Sequence, residues 1–164
     1  MSITINGSGT VTGISATGIS AQPAFPGNIL QVVYASTTTL ATNTTSTYAD
    51  TGLTSSITPT SASSKVLVLV SQNGVFKSVN NSANGVNIKL FRGATELALA
   101  SPAGYSGTTL NVYPGSVSFC LLDAPGTTGA TTYKTQFANL TNANGVGVQD
   151  QSSRSTITLM EVAA

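Results

Sequence analysis

The chain has 164 residues, the length of one ordinary domain, and a formal net charge of +1, with no histidine, no tryptophan and one cysteine. Only 7% of its residues are charged, against about a quarter in a typical globular domain. This composition excludes a zinc site built from several Cys and His ligands and catalysis that needs an imidazole. It also provides no cluster of Lys and Arg residues that could bind the phosphates of a nucleic acid.

The first 28 residues form a distinct segment, rich in Gly, Ser and Thr and without a charged side chain. Its apolar residues are too widely spaced to build a core. They are Ile3, Ile5, Val11, Ile14, Ile19 and Phe25. A disordered tail is one interpretation of residues 1–28, and the other is an extended arm that contacts a neighbouring subunit through these residues. Isoleucines without charges are unusual in disordered segments, which favours the arm.

Residues 29–164 alternate short apolar runs with turn residues, which predicts one β-rich domain. The predicted strands are Ile29–Ala35, Thr47–Thr51, Leu53–Thr58, Lys65–Gln72, Gly85–Arg92, Glu96–Ala100, Leu110–Tyr113, Ser116–Asp123, Thr131–Asn139 and Ser155–Val162. Abundant Thr and Val favour a pleated sheet, and no long segment carries the apolar stripe of a helix. The sequence therefore predicts an all-β fold, a jelly-roll-like antiparallel β-sandwich of about eight strands with an extended N-terminal arm.

Cys120 lies among alternating apolar residues of a predicted strand, and we expect it to be a small buried hydrophobe. A single cysteine cannot form an intramolecular disulfide, and the sequence does not open with the basic and apolar regions of a secretory signal. The longest apolar run, Val66–Val70, is far shorter than the ~20 residues of a membrane-spanning helix. We therefore expect synthesis in a reducing cytoplasm and no membrane insertion.

Five carboxylates remain as candidates for chemistry. They are Asp50, Glu96, Asp123, Asp150 and Glu161. A glycosidase would need two of them about 5–9.5 Å apart, but roles at strand ends and in turns explain each one more simply. The sequence has no calcium-binding loop of the DxDxDG type and no phosphate-binding glycine loop. It predicts no catalytic residue, no metal and no cofactor, and hence a protein that is not an enzyme.

Tyr105 and Tyr113 are the candidates for contact with a glycan. Both lie beside Gly, Ser or Pro, in contexts where an aromatic ring is expected at the surface. A sugar can stack on such a ring while nearby polar groups bind its hydroxyls. The alternative is that both tyrosines cap the edge of the sandwich, and the lack of tryptophan favours that alternative.

Several short segments of the sequence follow one another in a characteristic order. They are Thr51–Pro59, Ser64–Val68, Leu90–Gly93, Leu122–Gly126 with Thr131–Lys134, and Ser155–Glu161. Together they resemble a β-sandwich domain found in structural proteins of tailed bacteriophages, including tail-fibre tips and capsid decoration proteins. The resemblance covers about residues 29–162 and carries no catalytic signature. It implies a jelly-roll subunit, commonly a homotrimer, on the surface of the virion and made in the cytoplasm of the bacterial host.

Two functions follow from this resemblance. In the first, the chain is a trimeric capsid decoration, or cement, protein whose N-terminal arm binds the major capsid protein and stabilises the shell. In the second, it is a short tail-fibre or receptor-binding protein whose arm docks on a tail protein while loops of the sandwich contact host-surface glycan. The sequence shows no shaft and no heptad repeat, which favours the first function.

Overall fold

The computed structural model describes residues 4–5, 11–12, 26–78, 82–141 and 145–164, and they are almost entirely strands and turns. The strands are β1 Thr4–Ile5, β2 Val11–Thr12, β3 Ile29–Thr37, β4 Ala41–Asn43, β5 Ala49–Ile57, β6 Lys65–Lys77, β7 Asn84–Arg92, β8 Thr95–Ser106, β9 Val112–Asp123, β10 Thr131–Asn139, β11 Val146–Val148 and β12 Ser155–Val162. A short 3-10 turn lies at Asp150–Ser152. Among these residues, no helix is long and apolar enough to span a membrane. The predicted all-β fold is confirmed.

Strands β3 to β12 form two antiparallel sheets that pack face to face as a sandwich. In sheet I the order is β3, β12, β6 and β9. Beside the last residues of β6, β11 takes the place of β12, and β4 pairs with β11 in the place of β3. In sheet II the order is β5, β10, β7 and β8. The predicted β-sandwich is therefore confirmed. Separately, β1 and β2 form a two-stranded antiparallel pair.

Two predicted strands, Thr131–Asn139 and Ser155–Val162, have the bounds that the structure gives. Elsewhere pairing continues beyond the predicted bounds of the strands. Gly74 adopts φ +59° at an irregularity in the β6–β9 pairing, which lets β6 continue to Lys77. In the same way β9 runs unbroken through Gly115, where the sequence predicted two strands.

The hydrophobic core lies between the sheets and takes its side chains from both. The largest members are Leu53, Ile57, Val66, Val68, Val70, Val86, Ile88, Leu90, Phe119, Tyr133, Phe137, Ile157 and Leu159. In β7, the alternate residues Val86, Ile88 and Leu90 are fully buried. Each strand contributes alternate residues, because successive side chains of a strand point to opposite faces.

Cys120 is exposed, so its predicted burial was wrong. The reason is the same alternation: β9 turns Phe119 into the core, and the next residue therefore points outward. Its neighbours across the sheet are Leu69 on β6 and, one strand further, Thr158 on β12. The thiol thus lies on the outer face of sheet I.

A chain of buried polar side chains connects the two sheets through the core. Thr135 Oγ1 on β10 donates to Gln72 Oε1 on β6 over 2.8 Å, and it lies 2.6 Å from Thr51 Oγ1 on β5. Gln72 Nε2 in turn donates to Ser155 Oγ over 2.9 Å. Burial of an unpaired polar group costs free energy. These bonds therefore favour the one relative placement of the two sheets in which all of them form.

We expect Thr135→Val to lower the free energy of unfolding by about 1–3 kcal/mol, because it leaves the buried Gln72 carbonyl without its donor. Urea denaturation measures the change. Thr132→Val, at an exposed position of the same strand, is the matched control and should change stability by less than about 0.5 kcal/mol. Equal losses in the two variants would mean that the buried chain contributes nothing specific.

Candidate interaction surfaces

The sandwich has two distinct ends, set by the course of the chain. At the proximal end, where the chain enters β3, Gly27 N donates to Ala163 O and Ala163 N donates to Asn28 O, each over 2.9 Å. The last residues of β7 and β9 lie at this end as well. The distal end carries the connection from β8 to β9 and the last residue of β6, Lys77.

Three side chains form a proximal cluster, Arg92, Asp123 and Tyr133. Arg92 Nη1 lies 2.8 Å from both carboxylate oxygens of Asp123 and 3.2 Å from the Ala124 carbonyl. The hydroxyl of Tyr133 donates to Asp123 Oδ2 over 2.7 Å. Burial, and then the Asp123 carboxylate, raise the pKa of the Tyr133 phenol above its ordinary range. The phenol therefore stays protonated and the cluster ties β7, β9 and β10 together.

Glu161 is a second tie at the proximal end and is fully buried. Its Oε1 accepts from Thr60 N over 2.7 Å and from Thr60 Oγ1 over 2.8 Å, and its Oε2 accepts from Gln31 Nε2 over 2.6 Å. Burial alone would raise the pKa of this carboxyl, but hydrogen bonds from Gln31, Thr60 and Ser64 outweigh it and lower the pKa. The ionised carboxylate holds the loop after β5 against β12.

Two other carboxylates form ion pairs on the outer face of sheet II. Asp50 Oδ1 lies 2.8 Å from Lys134 Nζ, and hydrogen bonds from Lys134 and Gln136 lower the pKa of this carboxyl. Glu96 Oε2 lies 2.6 Å from Lys89 Nζ. Within the described ranges, no group of three or more His, Cys, Asp and Glu residues could hold a metal ion. Four of the five candidate carboxylates thus have structural partners, while the absence of enzymatic activity stays a prediction.

Glu161→Gln should lower the free energy of unfolding at neutral pH by about 2 kcal/mol, because the amide cannot accept all the bonds that the carboxylate accepts. The depressed pKa means that ionised Glu161 stabilises the fold above the unfolded value of about 4.3. This contribution is lost as pH falls through the folded pKa.

The wild-type chain should therefore lose more stability than Glu161→Gln between neutral pH and about pH 3, as measured by urea midpoints. Glu96→Gln, which removes an exposed ion pair, is the control and should change the midpoints little. Identical pH profiles for wild type and Glu161→Gln would contradict this role of Glu161.

At the distal end, a buried lysine fastens the loop between β8 and β9. Lys77 is fully buried, and its Nζ donates to the carbonyl oxygen of Thr108 over 2.8 Å and to that of Ser106 over 3.3 Å. On either side of this loop, the candidate glycan residues Tyr105 and Tyr113 are 52% and 59% exposed. Sequence patterns could not reveal the role of Lys77, because its partners lie about thirty residues away, at the end of β8 and in the loop that follows it.

Tyr113 has a defined position on the surface. Its ring stacks on that of Phe76, with centroids 6.0 Å apart and planes inclined by 22°. The Phe76 ring itself lies over Gly147, where a Cβ atom would come within 2.3 Å of it. The pair is therefore held at the edge of sheet I, with Tyr113 exposed above it. This position suits both an edge cap and a ligand contact.

The outer face of sheet I is apolar over two rows that cross all four strands. We call these rows the apolar face. The first row consists of Val32, Met160, Leu67 and Leu122, and the second of Tyr34, Thr158, Leu69 and Cys120. Val32, Tyr34, Cys120 and Leu122 are exposed. None of these eight side chains is charged. Two of them, Tyr34 and Thr158, carry a hydroxyl group.

The outer face of sheet II is different in kind. It carries the ion pairs Lys89–Glu96 and Lys134–Asp50, and the Lys89 ammonium also lies 4.3 Å from the centroid of the Tyr48 ring. Its remaining positions include Thr, Ser and Asn together with the exposed Leu99. The surface ion pairs thus lie on the outer face of sheet II, while the outer face of sheet I has uncharged rows bordered by Lys65 and by Arg154, which donates to Ser36.

The predicted contacts of the N-terminal segment lie mostly beyond the described residues. Ile5 and Val11 are opposite each other in the β1–β2 pair. Ile3, Ile14, Ile19 and Phe25 lie outside the described part of the chain. The role of all six in assembly stays a prediction.

No protein-family model and no curated protein sequence matches this chain. Four of the segments on which the expected resemblance rests lie at the proximal end. Leu90–Gly93, Leu122–Gly126 and Thr131–Lys134 supply the proximal cluster, and Ser155–Glu161 supplies the buried carboxylate. The hydrogen bonds of these segments thus close the proximal end of the fold.

Proposed function

We propose that this chain is a virion structural protein of a tailed bacteriophage. In this proposal it is a homotrimeric capsid decoration, or cement, protein on the particle surface. The observation that carries the proposal is the contrast between the two outer faces of the sandwich, since sheet I exposes two uncharged, largely apolar rows and sheet II exposes ion pairs. Exposed apolar patches of this kind mark interaction sites, and symmetric association covers them.

The strand order supports the jelly roll as the fold of residues 29–164. With β3 and β4 taken as one strand, and β11 and β12 as another, the chain visits the sheets in the order I, II, I, II, II, I, II, I. Four strands in each sheet and frequent crossings between them are features of an eight-stranded jelly roll. The first and last of these strands, β3 and β12, are neighbours in sheet I.

Residues 1–28 are the part of the chain proposed to bind the major capsid protein. They enter the sandwich at the proximal end and carry apolar side chains but no charge. Such a segment suits a protein surface better than solvent. Fully extended, its 28 residues could reach about 90 Å, which is enough to contact more than one neighbouring subunit.

Deletion of residues 1–25 should leave a folded sandwich that no longer binds the particle. The cut retains Gly27 and Asn28, whose backbone bonds to Ala163 belong to the sandwich. Circular dichroism and urea denaturation test the fold, and cosedimentation with particles stripped of this protein tests binding. Full-length chain is the control, and unchanged binding of the truncated chain would contradict the arm.

A second candidate function is that of a short tail-fibre or receptor-binding protein. The observation that favours it is the placement of Tyr105 and Tyr113 at the distal end, opposite the point where the N-terminal segment joins. The 13 residues of β6 span the sandwich over about 43 Å. Attachment at the proximal end would thus leave both tyrosines free to contact host-surface glycan.

The two candidates differ in copy number and in their dependence on tyrosine. Quantitative mass spectrometry should find hundreds of copies per virion for shell decoration, and a few to a few dozen for a tail protein. For the tail protein, Tyr105→Ala should weaken binding to host-surface polysaccharide about tenfold, equivalent to about 1.4 kcal/mol, while Tyr105→Phe keeps the ring and should bind normally. Unchanged binding of Tyr105→Ala would argue against the glycan role.

A further inference from the structure

The outer face of sheet I has the layout of an interface between proteins. The two rows of the apolar face are followed along the strands by a third row of hydroxyl side chains. This third row consists of Ser36, Thr156, Ser71 and Ser118. An apolar centre bordered by small polar side chains is the usual arrangement of a specific interface. The order of these rows is fixed by strand register and does not depend on how any loop is placed.

The three rows cover a limited, well-defined area. They lie two residues apart along each strand, so together they extend over about 20 Å at ~3.3 Å per residue. Across four strands spaced ~4.8 Å apart they measure about 19 Å. The product, about 380 Å², is the size of the exposed apolar patches that mark interaction sites, and it is about half the area that each partner buries in a standard protein–protein interface.

We propose that subunits of this protein contact one another through the apolar face, which is directed at the symmetry axis of the oligomer. This inference rests on the self-association in the proposed function and names its surface. A second copy is the occupant that the charges favour. Because none of the side chains in the two rows is charged, the rows of two copies can approach without repulsion between like charges, while Lys65 and Arg154 lie at the border of the face.

The position of the N-terminal segment agrees with this arrangement. The wholly apolar row, which contains Val32 and Leu122, lies at the proximal end, a few residues along β3 from the point where the chain enters the sandwich. Contact through this row brings the entry points of the subunits close together. The N-terminal segments of one oligomer would then emerge side by side, at the end proposed to face the particle.

Cys120 provides a probe of the face without any added label. It is the one cysteine of the chain, it is exposed in the single subunit, and it belongs to the second row. Burial of the face between subunits should shield the thiol from a water-soluble disulfide reagent. The rate of its reaction therefore reports on this surface and on no other.

The test compares the full-length wild-type chain with Leu122→Lys and Leu99→Lys. Leu122 and Leu99 are 51% and 49% exposed, but Leu122 lies in the apolar face and Leu99 lies in sheet II. Sedimentation equilibrium gives the oligomeric state, and the rate of thiol modification is measured at the same concentration. We expect wild type and Leu99→Lys to form oligomers with a slowly reacting Cys120. Leu122→Lys should be monomeric, with a thiol that reacts at least about tenfold faster. Circular dichroism checks that all three chains are folded.

Three outcomes would overturn the proposal. A monomeric wild type with a fast thiol would remove both this interface and the self-association in the proposed function. In the second outcome the wild type is an oligomer, its Cys120 reacts fast, and Leu122→Lys remains an oligomer. Assembly would then use another surface, and the proposed function would stand without this interface. A monomer whose Cys120 becomes reactive only on deletion of residues 1–25 would show that the chain's own N-terminal segment covers the face.

Discussion

The constraint on which the rest of this structure depends is the alternation of side chains along the strands of sheet I. Burial of Val66, Val68 and Val70 in the core forces Leu67 and Leu69 to point outward. The neighbouring strands obey the same rule in a fixed register, so their outward residues align in rows across the sheet. A run of apolar residues in a central strand therefore creates two apolar surfaces, and only one of them is covered within the subunit.

Polar interactions decide how the loops are arranged around this framework. The chain is poor in charge, and two of its five carboxylates close the fold: Asp123 joins three strands in the proximal cluster, and Glu161 holds the loop after β5. At the distal end, buried Lys77 fixes the loop between the two exposed tyrosines, Tyr105 at the end of β8 and Tyr113 at the start of β9. The structure thus presents a sandwich that the N-terminal segment joins at one end and that exposes two tyrosines at the other. These are features of a building block that acts by contact, which is the basis of the proposed role in a virion.

Local patterns predicted much of the fold and little of the surface. The bounds of Thr131–Asn139 and Ser155–Val162 were predictable because alternation and flanking turns coincide there. The extension of β6 to Lys77 was not, since it depends on a bulge at Gly74 and on pairing with β9 forty residues away. Cys120 was placed in the core although its neighbour Phe119 occupies it. The apolar face could not be predicted either, because its rows appear only when the register of four strands is known.

The central claim is that the apolar outer face of sheet I is covered in the functional assembly, whereas the outer face of sheet II remains in solvent. Hydroxyl-radical footprinting of the purified full-length protein tests this directly, because it compares both faces in one sample. The account predicts that Leu122, Val32 and Tyr34 are modified several-fold less than Leu99, although all four are about half exposed in the single subunit. Equal modification of the two sets would contradict it.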